Sequence, residues 1–180
     1  MQPNLGILKK MYPMILLTLV ILASVVLLSF ANGYYGPMIV DQANQAQKVL
    51  LQSMFPDMTD FTYAQDSQIY TIKQSGKNIG YAFVATGKGY GGPITILVGL
   101  KDATTVKGIS IVTQTETNGM GSRVTLPKFT DQFAGKAISD VKIKSDGGPI
   151  DGWSGSTISS KAVINAVRET ALLKAAQLPK

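Results

Sequence analysis

The chain predicts an α+β fold: a single N-terminal transmembrane helix, then a largely antiparallel sheet domain with flanking helices. Three observations predict it. An uncharged apolar run comes first, strand-like segments then follow one another without helices between them, and helical periodicity returns only near the end.

Residues 13–31, PMILLTLVILASVVLLSFA, carry no charge. They come close to the ~20 apolar residues a helix needs to cross a bilayer. Tyr12 precedes the run and Phe30, Tyr34 and Tyr35 close it, where interfacial aromatics belong. Lys9 and Lys10 lie before it and no basic residue follows until Lys48, so the positive-inside rule puts residues 1–12 in the cytoplasm and residues 36–180 outside. Ser29 and Ala31 also form a small-x-small cleavage site, the mark of a signal peptide. The apolar core exceeds the ~7–15 residues of a signal-peptide core, which favours an uncleaved anchor in the cell inner or plasma membrane. Either version exports the domain.

Residues 39–54 place Ala43, Ala46, Leu50 and Met54 on one helical face, a juxtamembrane helix that stops near Pro56. The period then changes. Residues 68–73 (QIYTIK) and 79–86 (IGYAFVAT) read as strands joined by SGKN in a hairpin. Residues 94–100 (ITILVGL) and 105–113 (TVKGISIVT) form a second hairpin across KDAT, and 137–144 (AISDVKIK) is a further strand candidate. The last helix spans about 158–177, with Val163, Ala166, Val167 and Ala171 on one face.

Composition narrows the chemistry. The 180 residues are 45% hydrophobic, ample for a core, and the net charge of +6 is spread without a dense basic run, so nucleic acid is not an expected partner. There is no histidine and no cysteine. That excludes Cys/His zinc sites, Cys-ligated iron–sulfur clusters, His- or Cys-held haem, and Ser–His–Asp or Cys–His catalysis. No metal site is expected, and any redox chemistry needs an organic cofactor.

Three Gly-rich loops break the strand pattern: 87–93, 114–123 and 145–157. Each begins near a strand end. They are either plain turns or the walls of one shared pocket. The third ends in DGWSGSTISS, residues 151–160, which crowds Ser154, Ser156, Thr157, Ser159 and Ser160 against the start of the last helix. Helix capping uses one or two such hydroxyls. A helix N-terminus also attracts phosphate through its free N–H groups and its dipole. A nucleophile elbow does not fit, because Ser156 replaces the second glycine of G-x-S-x-G and no histidine exists to act as base.

Asp151-Gly152-Trp153-Ser154-Gly155-Ser156-Thr157 resembles the D-x-x-[ST]-G-A-T flavin-attachment motif of the FMN-binding domain family, with Ser156 where alanine is usual. Glu116-Thr117-Asn118-Gly119-Met120-Gly121 resembles the E-T-P-G-L-G loop of the same family, with Asn118 for proline and Met120 for leucine. Membrane members of that family are the G subunit of the Rnf electron-transport complex and the C subunit of the sodium-translocating NADH:quinone oxidoreductase. The resemblance implies FMN bound covalently as a phosphoester of Thr157. Asp151, Ser154, Gly155, Ser156 and Ser159 would surround the attachment point, and Glu116, Thr117, Gly119 and Met120 would approach the flavin ring. It further implies a non-catalytic electron-carrier subunit of an ion-translocating oxidoreductase, of the Rnf type linked to ferredoxin and NAD⁺. Its partners would be other membrane subunits, membrane lipid, and a flavin transferase for maturation. The quinone-reductase counterpart, a flavin reductase domain acting alone, and an anchored FMN-binding or sensor domain are the alternatives.

Overall fold

Where apolar residues begin to alternate, the chain forms a meander. The computed structural model describes residues 5–178, and side chains within 11–30 and 48–178; Lys9, Lys10, Tyr34, Tyr35, Ala43 and Ala46 lie outside the described side chains. The elements are α1 (Leu5–Met54), β1 (Asp60–Ala64), β2 (Ile69–Gln74), β3 (Lys77–Lys88), β4 (Pro93–Leu100), β5 (Val106–Thr113), the single turn α2 (Pro127–Thr130) and α3 (Thr157–Ala175). The chain divides into two units, residues 1–49 and 50–180.

In the first unit, Met11–Phe30 is 20 residues long with a mean hydropathy of 2.6, enough by length and composition to cross a membrane. One helix covers both the expected anchor and the expected juxtamembrane segment. It ends at Met54, two residues before Pro56.

In the second unit the five strands pair in sequence order, every pair antiparallel. The β2–β3 hairpin closes through Ser75 and Gly76, both at positive φ (49° and 82°), the signature of a primed turn that matches strand twist. Between β4 and β5, Asp102 Oδ1 accepts from the Thr104 N–H, the Thr104 hydroxyl and the Thr105 N–H at 2.7–2.9 Å. Those bonds, the Thr104 hydroxyl first among them, hold the Asp102 carboxyl below its usual range.

Each sheet face has its own core. On one, Phe83, Ala85, Ile96 and Val98 pack with Val163, Ile164, Val167 and Ala171 of α3 and with Phe129, Phe133, Val141 and Ile150 of the connection between β5 and α3. Burying each large side chain contributes roughly 1.5–3 kcal/mol. On the other, Leu51, Phe55 and Met58 cover Ile72, Ala82 and Leu97. Of the residues expected on the juxtamembrane face, Leu50 and Met54 pack here half-buried, while Leu51 is the one fully buried.

Two elements differ from expectation. Residues 137–144 are not a strand: 3-10 turns run over Ile138–Asp140 and Lys144–Asp146, with only isolated bridges Thr105↔Ala137 and Ile143↔Ile150. Ile138, Val141 and Ile143 are all buried, at spacings of three and then two, and no extended strand turns residues at such spacings to one side. The chain bends so that each reaches the core. Conversely, β1 is a strand that the sequence does not announce. Its five residues have no buried position and hence no alternation to read; Phe61, Thr62 and Tyr63 carry only β-propensity.

Candidate functional site

The three Gly-rich loops meet. A cleft of about 450 Å³ is lined by Tyr90 from the first loop, by Glu116, Thr117, Met120 and Gly121 from the second, and by Gly155, Ser156, Thr157, Ile158 and Ser159 where the third enters α3. Its size suits a small-molecule ligand.

Glu116 joins them. It is 8% exposed. Its Oε1 accepts from the Gly91 N–H at 2.9 Å, and its Oε2 accepts from the Ser159 hydroxyl at 2.5 Å. One carboxyl group thus ties the β3–β4 loop and the first turn of α3 to the loop after β5. Glycines make room for it: a Cβ at Gly89 would collide with Oε1, and one at Gly121 with Oε2. The glycines of two loops are needed here for space, not for unusual dihedrals.

The crowded hydroxyls separate by role. Ser160, fully buried, accepts from the Trp153 N–H at 3.1 Å and so closes the turn before α3. Ser159 is engaged by Glu116. Ser154 is exposed and stands outside the lining. Thr157 is the first residue of α3, exposed, and on the cleft. Ser156 is the N-cap, yet its side chain makes no capping bond. Ser160 N–H to Ser156 C=O, at 2.9 Å, is the first bond of the helix. The N–H groups of Thr157, Ile158 and Ser159 therefore have no intrahelical acceptor.

Apolar side chains form the rest of the wall. Tyr90, Met120 and Ile158 are 76%, 53% and 58% exposed. A Cβ on Gly155, at φ +79°, would stand 3.6 Å from Met120 Cε, so Met120 reaches across to the loop before α3. Large apolar groups left open to solvent around a cleft are suited to a flat aromatic ligand.

Asp151 lies away from the cleft. Its carboxyl pairs with Lys144 at 3.0 Å on the surface. Its N–H donates to Gln132 Oε1 at 2.7 Å, and its C=O accepts from Gln132 Nε2 at 3.2 Å. Gly119, at φ +78°, donates to the Ser122 hydroxyl and also lies outside the lining. Lys161 does not point its charge at a ligand site but bonds Asp146 at 3.0 Å, which together with the Ser145 hydroxyl holds that carboxyl below its usual range. Trp153 is half-buried, with Arg123 and Lys128 at 5.8 and 5.5 Å from its ring. Sequence reasoning does not single out Ile158 or Gly121 as site residues. Ile158 carries no polar signal, and the need for Gly121 comes from Glu116, which folds back over it.

A phosphorylated flavin fits this site. The N–H groups at the start of α3 are donors of the kind a phosphate accepts from, and the Ser156 hydroxyl beside them is buried without a partner. The apolar wall meets the demand of a ring.

The profile of the FMN-binding domain family matches residues 89–171, from within the first loop through the second and third loops to most of α3. The G subunit of an ion-translocating oxidoreductase complex from Methanosarcina acetivorans is 31% identical over 138 residues, covering 70% of this chain and 73% of that protein. The G subunit of the proton-translocating ferredoxin:NAD(+) oxidoreductase complex of Clostridium ljungdahlii is 34% identical over 145 residues, covering 77% and 78%. Among solved structures, the C subunit of the Na(+)-translocating NADH-quinone reductase from Parabacteroides distasonis superposes with a TM-score of 0.52 at 26% identity, over 62% of this chain and 63% of that one. An apolar N-terminal helix followed by this meander and cleft defines a membrane-associated protein with an FMN-binding domain. The chain belongs to the G-subunit family of ion-translocating oxidoreductase complexes.

Proposed function

We propose that this chain is the flavin-bearing electron-transfer subunit of an ion-translocating oxidoreductase complex of the Rnf type, and that FMN is attached to Thr157 through a phosphoester. The observation behind this reading is the placement of Thr157. It is an exposed residue at the uncapped start of α3, on a cleft that three loops build together.

Bound FMN supplies reversible electron transfer between a donor and an acceptor held in the membrane complex. The chain's own residues position and retain it. The Thr157 oxygen makes the link, which removes the dissociation equilibrium that would otherwise lose cofactor outside the cell. The N–H groups of Thr157, Ile158 and Ser159 and the positive end of the α3 dipole offset the phosphoryl charge. Tyr90, Met120 and Ile158 hold the ring and exclude water. Glu116 keeps the two sides of the cleft at a fixed separation. Asp151, paired with Lys144 on the surface, is exposed where a flavin transferase would read it.

The anchor keeps the domain beside its partner subunits, with the N-terminus cytoplasmic and a single pass. The stretch 13–30 holds no ionisable side chain, so ion passage falls to other subunits. The likeness to the C subunit of a quinone reductase favours a second reading, the same carrier role in that complex.

The test is expression with and without a flavin transferase, followed by a denaturing gel viewed under ultraviolet light. A fluorescent band forms only with the transferase and disappears in Thr157→Val. A band that persists in Thr157→Val removes this residue from the mechanism.

A further inference from the structure

We propose that the Ser156 hydroxyl is a positioning group that donates a hydrogen bond to the phosphoryl group carried on Thr157. This rests on the reading of Thr157 as the attachment residue.

Ser156 Oγ has no hydrogen-bond partner among the described residues and is shut off from solvent, on a residue only 5% exposed that belongs to the cleft lining. A serine at an N-cap ordinarily bonds an N–H of the first helical turn. Here the backbone, at φ −131° and ψ 32°, lies outside the extended geometry that brings the side chain over those groups, and the capping bond is absent. The adjacent hydroxyls offer no exchange of partners: Ser159 donates to Glu116 and Ser160 accepts from the Trp153 N–H. A buried hydroxyl left without a partner is destabilising, and such groups are rare in folded proteins. Three N–H groups of the same turn also lack acceptors. Four donors within four consecutive residues, one of them a side chain nine-tenths buried, call for a single multivalent acceptor. A phosphoryl group bonded to Thr157 Oγ is one residue away. Its non-bridging oxygens accept several hydrogen bonds at once and carry charge, which strengthens each of them. Ser156 thus acts through the orientation of the link, not on the flavin ring.

The hydroxyl then has opposite effects in the two forms of the protein. The experiment uses full-length protein in detergent, made without a transferase (flavin-free) and with one (loaded), each as wild type and as Ser156→Ala. Alanine fits the space, so both variants fold. In the flavin-free form Ser156→Ala removes an unsatisfied group and raises Tm by roughly 2–4 °C. In the loaded form the sign reverses, and Tm falls by about the same amount. The ³¹P resonance of the phosphodiester also moves on substitution, which a purely steric role of Ser156 would not produce. Equal Tm changes in the two forms with an unmoved ³¹P resonance, in protein loaded at Thr157, overturn the Ser156 assignment alone. Protein that takes up no flavin, or keeps it as Thr157→Val, overturns the attachment reading and this inference with it.

Discussion

Two donors from distant parts of the chain, the Gly91 N–H and the Ser159 hydroxyl, converge on one carboxyl group. Glutamate is suited to that place because each of its two oxygens accepts one of these donors. Glu116→Leu keeps the approximate size but removes both acceptors. It costs about 1–3 kcal/mol, the range for leaving a buried polar group without its partner. Denaturant unfolding measures the loss, and hydrogen exchange at the Gly91 amide reports whether the β3–β4 loop has come free. An unchanged Gly91 amide would show that this loop is held by other contacts. From sequence, Glu116 reads as one member of a motif loop near the ring. Its place in the structure makes it the tie between loops, which no local pattern discloses, since its partners lie 25 and 43 residues away.

At the scale of elements, the cleft depends on how closely α3 lies on β3. Gly87 sets that distance. A Cβ there would stand 2.5 Å from the Ala162 carbonyl oxygen and 3.2 Å from Ala166 Cβ. Both neighbours belong to the helix whose first turn carries Thr157, so the backbone must shift to admit a methyl group. Gly87→Ala lowers stability by about 1–3 kcal/mol, the usual penalty for overpacking, and a thermal melt measures it. A Tm unchanged within error would mean that α3 tolerates displacement and does not define the cleft. The helix itself is readable in advance because Val163, Val167 and Ala171 recur at helical spacing and are all buried. The stretch 137–144 misleads because alternation of Ile, Val and Lys mimics a strand. The chain instead buries Ile138, Val141 and Ile143 by turning between them, and that choice depends on core surface supplied by distant elements.

For the whole molecule, the charge asymmetry around the apolar run predicts topology. The chain has no cysteine, so a single introduced thiol reports its own side of the membrane. In intact spheroplasts, a membrane-impermeant maleimide labels Ser139→Cys and leaves Gln2→Cys unlabelled until the membrane is opened. The reverse pattern would place the flavin domain in the cytoplasm and undo the retention argument for a covalent link.

The amino-acid order alone determined the apolar span, the β2–β3 and β4–β5 hairpins, the terminal helix, and the two motifs that resemble those of FMN-binding domains. All are local: hydrophobic period, turn residues and short spacings are set by neighbours in the chain. Only the tertiary structure decided that the three glycine-rich loops share one cleft, that Asp151 faces the surface while Glu116 is buried, and that of five crowded hydroxyls Ser159 and Ser160 are occupied, Thr157 is open and Ser156 is unpartnered. Those outcomes depend on which backbone groups meet across tens of residues, and hydrogen-bond partners at that separation are chosen by packing, not by local sequence.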